Sequence, residues 1–193
     1  RILLIYSNQS REMEPAAPVG LSYVASATRA AGHEVRLLDL AFSQDLTGDL
    51  AAAIIAFKPE VVGLSIRNID NVVSQRFVSP QDALREQVAV IRQHARKPDG
   101  TPVPVVLGGP AISILAERAL SLFGADFANV GEGEVAFPAL LHALEHGTPL
   151  SAVPGLCYLE NGVAQRMLKE DLHAGNALGA GGAHVILTDR KSV

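Results

Sequence analysis

The chain has 193 residues, a length that suits one α/β domain of medium size with a short appendage. Its net charge of -4 gives no electrostatic support for binding to nucleic acid or to an anionic membrane, and no apolar run approaches the roughly 20 residues of a membrane span. The single cysteine, Cys157, excludes an internal disulfide and a metal cluster held by this chain alone, and it favours a cytoplasmic location.

Short apolar runs alternate with amphipathic segments over the first 150 residues. The apolar runs predict five buried strands, at Arg1–Tyr6, His33–Leu40, Glu60–Ile66, Val105–Leu107 and Asp126–Val130. Helices are predicted between and after them, at 18–31, 45–57, 80–95 and 111–123, with a last helix that ends near His146. Either Asp45 or Thr47 is expected to cap the second helix.

Five strands that alternate with five helices predict a doubly wound α/β fold with a five-stranded parallel sheet. The flavodoxin-like or Rossmann-like order 2-1-3-4-5 is the leading expectation. Beyond residue 150, Gly155–Leu159 and Val163–Met167 flank Asn161-Gly162, a pattern that predicts a β-hairpin appendage with a type I′ turn. We therefore expect an α/β domain at 1–150, and a hairpin with a linker at 151–193.

Small residues dominate the ends of three predicted strands. The third strand ends in Gly63–Asn68, which includes Ser65, the fourth in Gly108-Gly109-Pro110, and the fifth in Gly131–Glu134. Ligands of open α/β sheets bind beyond the carboxyl ends of the strands, and glycine lets the backbone approach a ligand closely. Glycines after strands also make ordinary tight turns, but three such ends together favour a ligand groove.

Familiar catalytic and phosphate-binding motifs are absent. The first strand is not followed by G-x-G-x-x-G, and the chain lacks both a P-loop and a nucleophile elbow. His142 and His146 lie four residues apart on one helix, but residue 143 is alanine, where H-E-x-x-H requires glutamate. We interpret these histidines as exposed residues near a helix C-terminus, where positive charge is favoured.

The order of several short segments resembles the N-terminal cobalamin-binding domain of cobalamin-dependent radical SAM enzymes. The matching segments are Pro18–Ala25, Ala31–Val35, Pro59–Ser65, Gly108–Pro110, Val130–Glu134 with Phe137, Gly155-Leu156 with Asn161-Gly162, and Asp189-Arg190. Each segment alone is weakly specific, whereas their order and spacing over almost the whole chain are fairly specific. The resemblance implies a Rossmann-like domain that carries cobalamin across its strand ends, with the nucleotide tail in a pocket beside the sheet.

Carried over residue by residue, the resemblance assigns Ser65 to a hydrogen bond with the tail and Gly108-Gly109 to its close passage. Gly131–Glu134 would contact the base or sugar of the tail, and residues 8–14 and 66–71 would lie near the corrin. Helix first-turn electrostatics would equally explain Glu132 and Glu134. The residues assigned to cofactor binding are Asn8, Gly20, Leu21, Ser65, Ile66, Arg67, Asn68, Gly108, Gly109, Pro110, Gly131, Glu132, Gly133 and Glu134; no catalytic or metal-binding residue is predicted.

Two departures from related patterns shape these expectations. Many free-standing cobalamin modules carry Asp-x-His-x-x-Gly after the first strand, whereas residues 7–13 here read SNQSREM. The resemblance therefore implies base-off cobalamin without a protein histidine ligand. The C-x-x-x-C-x-x-C motif of radical SAM enzymes is also absent, so the [4Fe-4S] cluster and S-adenosylmethionine would belong to a C-terminal barrel of a longer parent protein.

We expect this chain to bind cobalamin and the parent to catalyse methyl transfer to an unreactive carbon, or a cyclisation. The chain begins without methionine and ends abruptly, which suits a fragment. Two alternatives remain: a stand-alone corrinoid carrier, which would more often keep the histidine motif, and a flavodoxin-like domain for another cofactor such as a flavin. A flavin domain would more often carry a Ser/Thr-rich phosphate loop after the first strand.

Overall fold

Five parallel strands form the centre of the sheet, as the alternating pattern predicted. The computed structural model describes residues 1–8, 16–67 and 80–167. The parallel strands lie in the order β2-β1-β3-β4-β5, which confirms the predicted order. They are β1 (Ile2–Tyr6), β2 (Val35–Asp39), β3 (Val61–Ser65), β4 (Val105–Gly108) and β5 (Phe127–Asn129).

The predicted hairpin extends this sheet to seven strands. Its strands are β6 (Leu156–Glu160) and β7 (Val163–Arg166), and β6 pairs antiparallel with β5. Asn161 and Gly162 have φ values of 53° and 80°, the positive sign that a type I′ turn requires at both central residues. The division of the chain at residue 150 stays a prediction, and residues 168–193 lie outside the described part.

Helices cover both faces of the sheet and create two separate apolar cores. On one face, α1 (Val19–Ala30) packs beside α5 (Gly133–His146). The other face is covered by α2 (Leu46–Phe57), α3 (Pro80–His94) and α4 (Pro110–Phe123). Because β1, β3 and β4 are apolar on both faces, their side chains pack alternately into the two cores.

Of the two capping candidates for α2, the structure selects Asp45. Its Oδ1 accepts a hydrogen bond of 2.9 Å from the Gly48 amide, whereas the Thr47 hydroxyl donates to the same carboxylate at 3.2 Å. We expect Asp45→Ala to lower the free energy of unfolding by about 1 kcal/mol, because it leaves a first-turn amide without its partner. Thr47→Ala is the control and should cost clearly less in the same urea titration; equal losses would contradict this assignment.

Cys157 is fully buried on β6. Burial, together with the nearby Glu117 carboxylate, raises the pKa of its thiol from 9.0 to about 11. In this pH interval the unfolded thiol ionises while the folded one keeps its proton, so the unfolded state is favoured as pH rises. We expect about 2 kcal/mol of stability, present below pH 9, to be lost as the pH rises through 11.

Denaturant titrations from pH 8 to pH 11 measure this loss. Cys157→Ala is the matched control, because it removes the titrating group and should flatten that part of the profile. The native thiol should also react slowly with a thiol reagent at pH 8, and rapid labelling of folded protein would contradict its burial.

Candidate functional site

One row of residues crosses the sheet where four parallel strands end. Tyr6 on β1 pairs with Ser65 on β3, and Ser65 pairs with Gly108 on β4. Asn129 on β5 continues the row, because the preceding residues Leu107 and Ala128 are partners. The alternation of side chains along each strand points this terminal row toward the face covered by α1 and α5. We call Tyr6, Ser65, Gly108 and Asn129 the terminal row.

A second row, two residues earlier on three of these strands, forms an apolar floor. Leu4 pairs with Gly63, and Gly63 pairs with Val106. A Cβ atom at Gly63 would lie 2.8 Å from Leu4 Cδ2 and 3.4 Å from the Phe137 ring. A Cβ atom at Gly108 would meet nothing within 4 Å. Glycines at these two positions therefore keep the space above the sheet open.

The open space is a cavity of about 560 Å³ between α1, α5 and the two rows. This volume lies within the range of roughly 300 to 1,000 Å³ that is common for small-molecule sites. Its floor is mostly apolar, and polar groups lie toward the strand ends. The helical walls include Gly20, Leu21 and Val24 from α1, and Gly133, Glu134 and Phe137 from α5.

The turn after β4 brings the backbone against the end of β3. Gly109 has a φ of 97°, and a Cβ atom there would lie 2.5 Å from the Ile66 carbonyl oxygen. The Ile66 amide donates to the Gly108 carbonyl at 2.8 Å. Glycine at 109 therefore serves the close approach of two loops as well as the shape of the cavity.

The loops after β4 and β5 are joined through Ser113 near the start of α4. The Gly131 amide donates to Ser113 Oγ at 3.3 Å, and Ser113 Oγ donates to the Gly109 carbonyl at 3.4 Å. Gly131 itself has a φ of 87°. These contacts hold two glycine-containing loops together at one side of the cavity.

Among the described residues of the cavity wall, Asn129 has a buried polar atom without a partner. Only 5% of the residue is exposed, and its Oδ1 has no hydrogen-bond partner. By contrast, the Tyr6 hydroxyl accepts from Asn8 Nδ2 at 3.2 Å, and Ser113 makes the bonds described above.

Most of the residues singled out from the sequence line this cavity. Three of them do not: the Ile66 side chain is buried in the core on the opposite face, Glu132 is exposed at the start of α5, and Asn8 lies beside the wall residue Tyr6. Asn68 lies outside the described residues, as do 9–14 and 69–71. Those that line it are Gly20, Leu21, Ser65, Arg67, Gly108, Gly109, Pro110, Gly131, Gly133 and Glu134. Their assignment to cofactor binding stays a prediction.

Sequence reasoning did not assign the wall residues Tyr6, Gly63, Asn129 and Phe137 to cofactor binding, although Gly63 stood in a small-residue strand end and Phe137 in a matching segment. Gly63 offered the clearest signal, since a glycine inside an apolar strand often marks a close approach of a ligand or backbone. Asn129 offered a similar signal, because it is a polar residue that follows the apolar Phe127 and Ala128 at the end of β5.

In the described ranges, no group of three or more His, Cys, Asp or Glu side chains could hold a metal ion. His142 and His146 are exposed, with their rings stacked at 4.2 Å between centroids. The same ranges contain no helix that is both long and apolar enough to cross a bilayer.

Comparison with known proteins places the cavity in a family context. The model of the B12 binding domain matches residues 14–141. An uncharacterized methyltransferase of Pyrococcus horikoshii, PH0819, is 33% identical over 147 residues, covering 75% of this chain and 28% of the relative. Tryptophan 2-C-methyltransferase of Streptomyces laurentii is 32% identical over 161 residues, covering 80% of this chain and 25% of the relative.

One solved structure has a fold similar to that of this chain. The radical S-adenosylmethionine methyltransferase TsrM from Kitasatospora setae, with cobalamin and a [4Fe-4S] cluster bound, superposes with a TM-score of 0.75 at 28% identity. The superposition covers 86% of this chain and 28% of TsrM. This chain therefore spans about a quarter of the length of the proteins that it resembles.

Proposed function

This chain belongs to the B12 binding domain family, and we propose that it binds cobalamin with the nucleotide tail in the cavity above the terminal row. The observation that carries the proposal is this cavity, which glycines keep open within the segment that matches the family model. The chain would act as the cobalamin-binding module of a radical SAM enzyme.

The floor of the cavity suits a flat heteroaromatic base. Leu4, Val106 and Phe137 supply apolar surface, and Gly63 leaves backbone where a side chain would otherwise stand. A planar ring could pack against this surface over its whole face, and the burial of apolar area would favour the bound state. The volume of about 560 Å³ excludes the much larger corrin ring, which would have to lie outside at the strand ends.

The polar groups of the cavity suit the sugar and phosphate of the tail. Ser65 and Glu134 line the cavity and can hydrogen-bond to hydroxyl groups. The helices α4 and α5 begin beside it, and the first-turn amides of a helix favour a phosphate. Glycines at 109 and 131 let the backbone of both loops come close to such a ligand.

Cobalamin, when bound, supplies a cobalt atom that can carry a methyl group. The contribution of this chain would be to bind the tail, to orient the corrin and to present its outer face to another part of the protein. Arg67 lies on the cavity wall and is exposed, so it is placed to contact the corrin side chains. We propose base-off binding without a histidine ligand, supported by the absence of histidine from residues 7–13 and from the described cavity wall.

The reaction would be carried out by a C-terminal radical SAM barrel of a longer parent protein. Two relatives about three times as long as this chain, both named as methyltransferases, support this proposal. A [4Fe-4S] cluster is held by several cysteine thiolates, and this chain has one cysteine. The barrel would therefore hold the cluster and S-adenosylmethionine. Methyl transfer to an unreactive carbon is the proposed reaction, and the single cysteine supports a cytoplasmic location.

Titration of the purified protein at its natural length with hydroxocobalamin tests the proposal. We expect a saturable change in the visible spectrum, and a corrinoid that stays with the protein after desalting. If no corrinoid is retained above a control with denatured protein, the proposal is wrong. A flavin that is retained instead would favour the flavodoxin-like alternative.

The axial ligand can be tested separately. After reduction, the electron paramagnetic resonance spectrum of the bound cobalamin should lack the nitrogen splitting of an axial nitrogen ligand. A spectrum with that splitting would contradict base-off binding without histidine.

A further inference from the structure

The Asn129 amide is buried at the cavity wall without a partner for its oxygen. The residue is 5% exposed, and no donor contacts Oδ1. A buried polar atom without a partner destabilises the folded state, and native proteins keep few of them. Asn129 belongs to the terminal row that faces the cavity, and its side chain is part of the cavity lining.

The neighbouring wall residues do not need such a partner. The Tyr6 hydroxyl is bonded to Asn8, and the Ser113 hydroxyl is bonded to both adjoining loops. Gly108, the adjacent member of the terminal row, adds no polar side chain. Ser65, another polar member of the row, is only half-buried, so among the described cavity-lining side chains Asn129 holds the one buried polar atom without a partner.

We propose that the Asn129 amide binds the nucleotide tail of the corrinoid and so makes this site selective for corrinoids that carry the tail. This inference rests on the proposed function. An amide offers both a donor and an acceptor, and the tail offers sugar hydroxyls and ring nitrogens. The corrin cannot reach this depth, because the cavity of about 560 Å³ is too small to admit it.

Gln87 provides an internal comparison. It is 1% exposed, and neither atom of its amide has a partner. Gln87 lies on α3 between Leu84 and Ile91, which belong to the core on the opposite face of the sheet. Among the described residues, two buried amides have an oxygen without a partner, and of these Asn129 lines the cavity and Gln87 does not.

The experiment measures the affinity of the protein, at its natural length, for two probes: hydroxocobalamin and cobinamide, which lacks the nucleotide tail. The variants are Asn129→Leu and, as the matched control, Gln87→Met; both are nearly isosteric and remove a buried amide. Asn129→Leu should raise the Kd for cobalamin about 10-fold, the effect of one lost hydrogen bond, and leave the Kd for cobinamide within about 2-fold. Gln87→Met should change neither Kd.

The outcomes separate this inference from the proposed function. If the wild-type protein binds neither corrinoid, the proposed function is wrong and the inference falls with it. If the wild-type protein binds cobalamin but Asn129→Leu weakens the binding of both probes equally, or the binding of neither, only the inference is overturned. Thermal unfolding without ligand checks the fold of each variant. If Asn129→Leu does not fold, Asn129→Ser replaces it and should show the same loss for cobalamin alone.

Discussion

Gly108→Val is expected to abolish the retention of cobalamin while the protein stays folded. A Cβ atom at Gly108 would meet nothing within 4 Å, and the alternation along β4 directs it into the cavity, as for Val106. A valine would occupy the space above the terminal row, where the tail is proposed to pass. We expect the Kd for cobalamin to rise at least about 100-fold, since overpacking of a fitted site costs on the order of 1–3 kcal/mol or more.

The stability of the unliganded variant distinguishes blockage from unfolding. Gly108 ends a strand and lies outside the set of described residues with positive φ, so a β-branched side chain is compatible with its backbone. The free energy of unfolding should stay constant or rise by about 0.5 kcal/mol. Ala164→Val, on the remote strand β7, is the matched control for binding. A folded Gly108→Val protein with wild-type affinity would refute our placement of the tail.

Gly109→Val is expected to destabilise the fold itself by about 3 kcal/mol or more. Its φ of 97° is unfavourable for a branched residue, and its Cβ atom would lie 2.5 Å from the Ile66 carbonyl oxygen and 2.9 Å from the Ile66 nitrogen. The clash is with backbone, so it cannot be relieved by rotating a side chain. Loss of cobalamin in this variant would therefore reflect a damaged turn as well as a filled cavity.

Gly124→Val is the matched control for this second prediction. Gly124 also has a positive φ, of 68°, but a Cβ atom there would meet nothing within 4 Å. In the same denaturant titration, the free energy of unfolding of Gly124→Val should fall only by the cost of a positive φ, on the order of 1–2 kcal/mol. Equal losses at positions 109 and 124 would mean that the approach to Ile66 contributes nothing.

Local pattern was sufficient to predict most of the secondary structure. The apolar run Arg1–Tyr6 corresponds closely to β1. The helix predicted at 111–123 ends, like α4, just before Gly124. The two capping candidates at Asp45 and Thr47 could not be separated, because both side chains can reach a first-turn amide and only the helix geometry decides. The parallel sheet followed from the regular alternation of strands and helices, whereas the order 2-1-3-4-5 was the leading expectation for five such units, which the structure confirms.

The wall of the cavity was only partly predictable. Glycines after strands were visible as small-residue clusters, and many of them do line the cavity. Ile66 was included with its neighbours, yet its side chain belongs to the opposite core because side chains alternate along the chain. Fully apolar strands conceal this alternation, since neither face is marked by polar residues.

The sequence by itself determined the elements, the parallel direction of the five strands and the positions where a ligand-binding edge would form. Those properties depend on local periodicity, on turn residues and on the handedness of strand–helix–strand connections. Only the tertiary structure decided that Tyr6, Ser65, Gly108 and Asn129 stand side by side on one face. Their alignment depends on the register of strands far apart in the chain, and that register is set by how both apolar faces pack against the helices.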